Sequence, residues 1–256
     1  MQLAKHIAQG NLLYLSQSNQ RLSVSENAYY RWLAFASPEG EQVIQSVMLK
    51  RKPWRLTLPH QTALMLPLLF FKPNRIVELG LGGGNIQRFI SHLSSAITID
   101  SVEHYSEVID CFNQFFNPQS NPVHLIYSDS TQWLLQNTLI YDWFICDIYQ
   151  QDIQSYNSAV NQLTHLTRHI TPSTCLSINL PDATDQEVNL LLTILQQVSR
   201  DHNITYFHVP NYLNIVIHLL PKQWQIYKRS KRNSYSYLPK SIFSKWQNFW
   251  QHGKNI

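Results

Sequence analysis

The chain has 256 residues and a mass of 30.0 kDa, which suits one large domain or one domain with a small appendage. Its composition, 44% apolar and 12% aromatic, supports a sizeable core and excludes a wholly disordered chain. The longest apolar run, residues 63–71, contains Pro67 and is too short to cross a bilayer. Residues 1–15 lack the apolar region and cleavage site of a signal peptide. We therefore expect no transmembrane segment and a cytoplasmic location.

Positive charge is concentrated near the C-terminal end. Residues 222–254 contain eight Lys or Arg and no acid, which leaves 12 cations, 16 acids and a net charge of −4 for the rest of the chain. The sequence pI of 8.9 therefore describes this tail. A basic appendage on an acidic domain is indicated, and a basic body wrapped around nucleic acid is disfavoured.

The first third of the chain predicts a small β-rich unit. Alternating apolar residues predict strands at 21–24, 30–35 and 43–48, and the turn-forming residues 37–40 join the last two as a hairpin. An apolar helix is predicted at residues 60–71. The three strands together predict an N-terminal β-rich domain in residues 1–58, which ends just before this helix.

From residue 75 the pattern becomes an alternation of buried strands and helices. Strands are predicted at 75–79, 96–102, 123–127, 142–146 and 174–178, and helices at 85–93, 105–116, 131–136, 155–168 and 185–199. Runs that are apolar on both faces imply a mostly parallel sheet covered on two sides. Two final strands, 204–209 and 213–219, form a terminal antiparallel hairpin. The fold class is α/β: a Rossmann-like, doubly wound sheet in residues 59–220 that follows the small N-terminal β-domain.

A glycine-rich loop follows the first parallel strand. Four of the seven glycines occur within residues 80–84, just before a predicted helix. In doubly wound sheets ligands bind at this point, and glycine lets a ligand approach the main chain. A tight structural turn, the alternative, requires fewer glycines. The candidate ligand-binding residues of this loop are Gly80, Gly82, Gly83 and Gly84.

Acidic residues stand at the ends of the next strands. Glu103 is the candidate for binding two ribose hydroxyls, with Asp100 inside the strand as its rival and a helix N-terminal acid as its structural alternative. Asp129, followed by Ser130, either accepts a hydrogen bond from an adenine amino group or caps the next helix. Asp147, after the fourth strand, is the candidate general base or anchor of a cationic substrate, with a loop cap as its alternative.

These segments together resemble spermidine synthases, the polyamine aminopropyltransferases. Residues 102–110 are similar to the family's V-E-[IL]-D-P-E-V-I-E, residues 141–147 to its Y-D-x-I-x-x-D, and Asp129-Ser130 to its G-D-A. Residues 19–24 resemble Y-Q-x-I-x-V, Gln45-Ser46 resembles a second glutamine after a hairpin, and residues 59–61 resemble Y-H-E. The resemblance covers about residues 18–180. It implies a class I methyltransferase fold that binds S-adenosylmethionine or its decarboxylated form. Carried over by position, Gln20 and Gln45 contact the ligand, Glu103 the ribose and Asp129 the adenine, while Asp147 deprotonates the attacking amine.

Two departures from the family pattern favour methyl over aminopropyl transfer. The family's G-G-G-D becomes Gly82-Gly83-Gly84-Asn85, so the acid that holds the aminopropyl ammonium is missing, and the second acid after the fourth strand is replaced by Gln150. A diamine carries two charges, and burying them without partners is costly. Asn85 beside an α-carboxylate removes repulsion and keeps hydrogen-bonding capacity, which favours intact S-adenosylmethionine. The alternative is a catalytically silent member that acts as a ligand-binding or interaction protein.

The partners indicated are a small-molecule acceptor and, from the family resemblance, a homodimer. In the tail, residues 221–256, apolar and aromatic residues of 242–250 recur at helical spacing. Three interpretations stay open for this tail: a helix that packs on the sheet or on a partner chain, a nucleic-acid-binding segment, or one that binds anionic headgroups.

Cysteine and histidine spacing predicts no metal centre. The three cysteines stand far apart, with no CxxC pair and no histidine at metal-ligand spacing, so we interpret them as reduced and buried. The eleven histidines show no ligand spacing either, and are interpreted as surface or packing residues. Those singled out are His60, His92, His165 and His218.

Overall fold

A computed structural model of the chain describes residues 3, 6–7, 9–17, 22–36, 40–120, 122–148, 155–224, 226 and 238–255. Its N-terminal part is an antiparallel sheet with the strand order β1-β2-β3-β4. The strands are β1 (Asn11–Leu15), β2 (Leu22–Glu26), β3 (Tyr30–Ala36) and β4 (Gln42–Leu49). The predicted hairpin of β3 and β4 is confirmed by their antiparallel pairing, while turn residues 37–39 lie outside the described residues. β1 was not among the predicted strands. Its leucines Leu12, Leu13 and Leu15 are all exposed, so burial imposes no period-two pattern on it.

The N-terminal sheet packs on the rest of the chain through one apolar cluster. Leu22, Val24 and Leu33 are fully buried there, against Phe112 and Phe116. A polar contact adds to this packing, because the Tyr14 hydroxyl donates to the carboxylate of Glu107. That bond is the largest cause of a pKa of about 12 for Tyr14.

Among the described residues the larger sheet has eight strands, in the order β12-β10-β11-β9-β8-β5-β6-β7. β5, β6, β7, β8 and β9 pair in parallel, and β11 is antiparallel to both β9 and β10. The predicted fold class is therefore confirmed, including the terminal antiparallel hairpin. The strands are β5 (Arg75–Leu79), β6 (Thr98–Glu103), β7 (His124–Tyr127), β8 (Trp143–Cys146), β9 (Cys175–Leu180), β10 (His202–His208), β11 (Ile215–Pro221) and β12 (Lys254–Asn255).

Helices cover both faces of this sheet. One face packs against α1 (Pro59–Leu64) and α2 (Asn85–Leu93), and the other against α4 (Ser130–Gln136), α5 (Ser155–Leu166) and α6 (Asp185–Val198). The short α3 (Ser106–Cys111) lies beneath the N-terminal sheet. No helix among the described residues is long and apolar enough to cross a membrane.

Two predicted helices are shorter than expected. The predicted helix 60–71 ends as α1 at Leu64 and continues as a 3₁₀ turn, Leu66–Leu69, that contains Pro67. Proline has no N–H for an α-helical hydrogen bond and interferes with the preceding turn. The predicted helix 105–116 is α3 followed by a π-helical turn, Phe112–Phe116, which turns the Phe112 and Phe116 rings into the cluster under the N-terminal sheet.

A chain of buried hydrogen bonds joins the centre of the sheet to α1. Trp143 Nε1 donates to Ser177 Oγ at 2.9 Å, Ser177 Oγ lies 2.8 Å from His218 Nδ1, and His218 Nε2 lies 3.1 Å from the Ala63 carbonyl. Since the Ala63 carbonyl oxygen can only accept, Nε2 carries the hydrogen, and Nδ1 of the neutral ring accepts from the Ser177 hydroxyl. Burial lowers the pKa of His218 to about 3, so the imidazole is neutral. The interpretation of His218 as a packing residue fits these contacts.

The described part of the C-terminal tail is integrated into the core. Helix α7 (Lys240–Trp250) buries Phe243 and Trp246, and Trp250 contacts Phe70 and Phe207 with ring centroids 4.7 and 5.2 Å apart. β12 then adds a short strand beside β10. Of the three interpretations of the tail, packing on the sheet is the one this helix follows. The basic run 228–232 lies outside the described residues.

Trp246→Ala tests whether α7 is part of the fold. Trp246 is 5% exposed and packs on Phe89, so its removal leaves a cavity and should lower the free energy of unfolding by about 3–5 kcal/mol. Urea unfolding measures this, with the exposed neighbour Lys245→Ala as the control, expected to change stability by less than about 0.5 kcal/mol. Equal effects of the two substitutions would contradict the packing role.

Candidate functional site

The strand order reverses beside β5, because β6 lies on one side of it and β8 on the other. Ligands of open α/β sheets bind at the carboxyl ends of strands next to such a reversal. The glycine loop, residues 80–84, follows β5 there, Glu103 is the last residue of β6, and Asp147 follows β8. The fold therefore brings these three predicted elements to one rim.

Glu103 binds the main chain of the glycine loop. Its Oε2 accepts from the N–H groups of Leu81 and Gly82 at 3.1 and 3.4 Å, and its Oε1 accepts from Tyr105 N–H at 3.0 Å. Because Tyr105 is the N-cap residue of α3, the carboxylate also serves the helix-terminal role considered as its alternative. Asp100, the rival for the ribose, is engaged elsewhere: its Oδ2 accepts from Tyr141 Oη at 2.7 Å and from Arg75 Nη2 at 3.0 Å.

The glycines of the loop are explained largely by contacts within the protein. Gly80 has φ of +97°, and a Cβ there would lie 2.6 Å from the Asp147 carbonyl oxygen. A Cβ on Gly83 would lie 2.7 Å from Ser46 Cβ, and one on Gly84 would overlap the Phe112 ring. The Cβ side of the loop is therefore filled by the N-terminal sheet and the π-helical turn. The Leu81 and Gly82 N–H groups of the same loop are directed to the Glu103 carboxylate, and ligand binding on that side stays a prediction.

Behind the loop, Asn85 and Arg88 form a buried polar network. Asn85 Nδ2 lies 2.8 Å from the Val47 carbonyl oxygen and 3.2 Å from Gln61 Oε1, and Asn85 Oδ1 accepts from Arg88 Nη2 at 2.6 Å. Arg88 also donates to the carbonyl oxygen of Gly83. These bonds account for Asn85 without a ligand, and its contact with the methionine end of a cofactor stays a prediction.

Asp147 is held by neutral and basic neighbours. Asn179 Nδ2 donates to its Oδ1 at 2.7 Å, Asn214 supports Asn179 at 3.0 Å, and His60 Nε2 lies 3.7 Å from its Oδ2. Burial raises the pKa of this carboxyl, but His60 and the Asn179 hydrogen bond lower it more, so that the pKa falls below the ordinary 3.8. The interpretation of His60 as a surface or packing residue missed this contact, although its place in the Y-H-E resemblance was a signal. Asn179 carried no sequence signal.

The predicted adenine-side residues lie at the start of α4. Asp129 is its N-cap residue, with Oδ1 accepting from Gln132 N–H at 2.9 Å and Oδ2 lying 3.9 Å from His104 Nδ1. Ser130 Oγ accepts from Gln162 Nε2 at 2.7 Å. The Asp129 side chain is 44% exposed, so capping leaves one oxygen available to another donor.

Of the two glutamines predicted to contact the ligand, the structure describes only Gln45. Gln20 lies outside the described residues. Gln45 is the extra residue of a β-bulge, since Leu33 pairs with Ser46 while Ala34 pairs with Ile44. Bulges re-aim side chains and occur next to active sites. The neighbouring Ser46 Oγ accepts from Gly83 N–H at 2.8 Å, a contact that sequence reasoning missed.

A further carboxyl group, that of Glu78, lies one strand position below the rim, and the residue is 2% exposed. Ser101 Oγ donates to its Oε2 at 2.8 Å. Burial raises the pKa of Glu78 well above its ordinary value, and the charges of Asp147 and Glu103 raise it further. The sequence analysis did not select Glu78, because its position inside a strand suggests only packing. Among the described residues no group of three or more His, Cys, Asp or Glu is arranged to bind a metal.

The free energy of unfolding of Glu78→Gln, relative to that of the wild type, should increase as the pH rises. The folded state retains the Glu78 proton at pH values where the unfolded chain, with an ordinary pKa of 4.5, has lost it, so stability falls above that pH. The variant keeps an acceptor for Ser101 and should gain about 1.4 kcal/mol over the wild type per pH unit, up to the folded-state pKa. Urea unfolding at about pH 5 and about pH 8 measures the difference. The exposed Asp185→Asn is the control, and a pH-independent difference for Glu78→Gln would contradict the prediction.

No protein-family model and no curated protein match this chain. Its fold is similar to that of a probable spermidine synthase from Corynebacterium glutamicum ATCC 13032, with 16% identity, a TM-score of 0.64 and coverage of 83% of this chain and 80% of that chain. A spermidine synthase in complex with the transition-state analogue AdoDATO has 13% identity, a TM-score of 0.62 and coverage of 92% and 84%. Human methyltransferase-like protein 13, in complex with SAH, has 15% identity, a TM-score of 0.54 and coverage of 76% and 91%. The chain therefore has the fold that spermidine synthases share with class I methyltransferases.

Proposed function

We propose that this protein binds S-adenosylmethionine at the rim of the larger sheet and transfers the methyl group to a small-molecule acceptor. The observation that carries the proposal is the contact between the Glu103 carboxylate and the Leu81 and Gly82 N–H groups, in the same crevice as Asp147. In sheets of this kind an acid at the end of the second strand binds ribose hydroxyls beside the glycine loop. When bound, S-adenosylmethionine supplies an electrophilic methyl group on a sulfonium.

The charges behind the loop favour intact S-adenosylmethionine over its decarboxylated form. Asn85 stands where the resemblance implies an aspartate, and the Arg88 guanidinium bonds both Asn85 Oδ1 and the Gly83 carbonyl. Burial lowers the pKa of Arg88 only to about 9, so it keeps its charge at neutral pH. A positive group at this position favours a ligand that carries a carboxylate and disfavours one whose end is only an ammonium.

Asp147 is the group that would orient the acceptor. Its low pKa makes it a weak base, so we assign it a hydrogen bond from the acceptor N–H or O–H and stabilisation of the positive charge that a nitrogen nucleophile acquires. Asn179 fixes the orientation of the carboxylate. His60 and Asn179 already contact this carboxylate, and the crevice therefore suits a neutral or singly charged acceptor better than a diamine.

A second candidate function, a silent ligand-binding or interaction protein, is favoured by the packing of the loop. Ser46 and Phe112 fill the Cβ side of Gly83 and Gly84, and Asn85 is fully engaged. A loop that has become purely structural would bind neither form of the cofactor.

Titration calorimetry with both cofactor forms separates these functions. We expect S-adenosylmethionine to bind at least about tenfold more tightly than the decarboxylated form, and Glu103→Gln to weaken binding by about 10- to 100-fold, because hydrogen bonds to a charged acceptor contribute about 1.5–3 kcal/mol each. Asp185→Asn, an exposed acid on α6, is the matched control. Tighter binding of the decarboxylated form together with consumption of putrescine would indicate aminopropyl transfer. Binding of neither form would leave the silent alternative.

Asp147→Asn should separate binding from turnover. We expect calorimetric affinity for S-adenosylmethionine within about threefold of wild type and a fall of about 10²- to 10⁴-fold in the rate of S-adenosylhomocysteine formation with a panel of defined amines and hydroxy compounds. Because the pKa of Asp147 lies below 3.8, the wild-type rate should show no loss from this group as the pH falls from neutral to about 5. The exposed Asp201→Asn is the control. Full activity of Asp147→Asn would exclude this role.

A further inference from the structure

Charge is segregated between the two faces of the larger sheet. Residues 42–77 contain six Lys or Arg and no acid, and residues 202–255 contain no acid either. The acids that border these segments are Glu41 and Glu78 for the first and Asp201 for the second. Glu78 is buried, whereas Glu41 and Asp201 are exposed. One face of the sheet is covered by the connection from β4 to α1, by α2 and by α7. The other face is covered in part by α6, whose first turn carries Asp185 and Glu187.

The cations of the first face lie on elements in direct contact. Arg88 Nε, on α2, donates to the Pro53 carbonyl oxygen at 2.8 Å. The next residue of that connection, Trp54, stacks on His92 at the end of α2, with ring centroids 4.2 Å apart. Phe89 packs on Trp246 of α7 at 5.7 Å. We name this surface the basic face. Its exposed members are Arg51, Lys52, Arg55, His92, Lys240 and Lys245.

The cations of the basic face lack acidic partners in the described part of the chain. Lys50, just before them, is excluded because it pairs with Glu26 at 3.1 Å, but no salt bridge involves Arg51, Lys52, Arg55 or Lys245 within the described ranges. Like charges on neighbouring elements repel each other, and an anionic polymer would neutralise several of them at once.

We propose that the basic face binds single-stranded nucleic acid. The cations extend from the β4–α1 connection to α7, which suits a repeating phosphate backbone rather than one small anion. The half-buried Trp54, stacked on the exposed His92 among these cations, offers an aromatic surface to bases. A bilayer is disfavoured because insertion requires exposed apolar side chains. The large apolar side chains exposed in the described residues, such as Leu13 and Ile140, lie outside the basic face.

Fluorescence anisotropy with a labelled oligonucleotide of about 20 uridines tests this surface in the full chain. Arg51→Glu/Arg55→Glu should weaken binding at about 50 mM salt by at least tenfold and reduce the slope of log affinity against log salt by about 1.4, at about 0.7 per lost phosphate contact. Lys245→Glu should weaken binding by a smaller factor, and Trp54→Leu should lower affinity with an unchanged salt slope.

The matched control is Arg168→Glu/Arg200→Glu, which makes the same charge change with two exposed arginines beside α5 and α6. It should reduce affinity by less than about threefold. Equal losses in the two double variants would overturn the proposal, because they would reflect net charge alone. Absence of uridine-oligomer binding, or binding only to vesicles rich in phosphatidylserine, would also overturn it. Thermal unfolding of each variant shows that the fold is retained.

Discussion

The carboxylate of Glu103 holds the rim of the larger sheet together. It accepts from two N–H groups of the loop after β5 and from the N-cap residue of α3, and so joins two neighbouring strand ends to the first turn of a helix. A carboxylate has about four lone-pair positions, of which these three bonds leave about one. A ribose would therefore exchange with a loop contact, and the longest of the three, 3.4 Å to Gly82, is the one most readily replaced.

Burial and pairing give the other two carboxyl groups of this region different properties. Glu78, enclosed by the sheet with Ser101 as its hydroxyl partner, has a raised pKa. Asp147, with His60 and Asn179 beside it, has a lowered one. The same rim thus combines an acid that favours its protonated form with one that favours its charged form. For the proposed function, this division would limit the negative charge presented to a bound ligand and would disfavour a dicationic acceptor.

The residues that the sequence could predict are those fixed by local periodicity and by strand order. Glu103 and Asp147 follow buried strands, and parallel pairing brings their positions together at one edge. What the sequence could not predict depends on contacts between distant segments. The Ser46 contact with Gly83 requires the N-terminal sheet to be docked, the Asn85 bonds to Val47 and Gln61 require the same docking, and the Phe112 contact with Gly84 requires a π-helical turn in place of a regular helix. The sequence pattern therefore located the rim but could not predict the protein contacts that surround its glycines, and ligand binding by the loop stays a prediction.

Helix α2 connects the two proposed activities of the molecule. Its first residue, Asn85, lies behind the glycine loop, and its last turn carries His92 of the basic face. At a rise of about 1.5 Å per residue these positions lie about 10 Å apart. Arg88, between them, bonds both the Gly83 carbonyl and the Pro53 carbonyl, so the loop and the β4–α1 connection share one anchor. A polymer bound along the basic face would therefore lie against the segment that positions the loop, and its binding would be coupled to the cofactor through Arg88 rather than through direct contact.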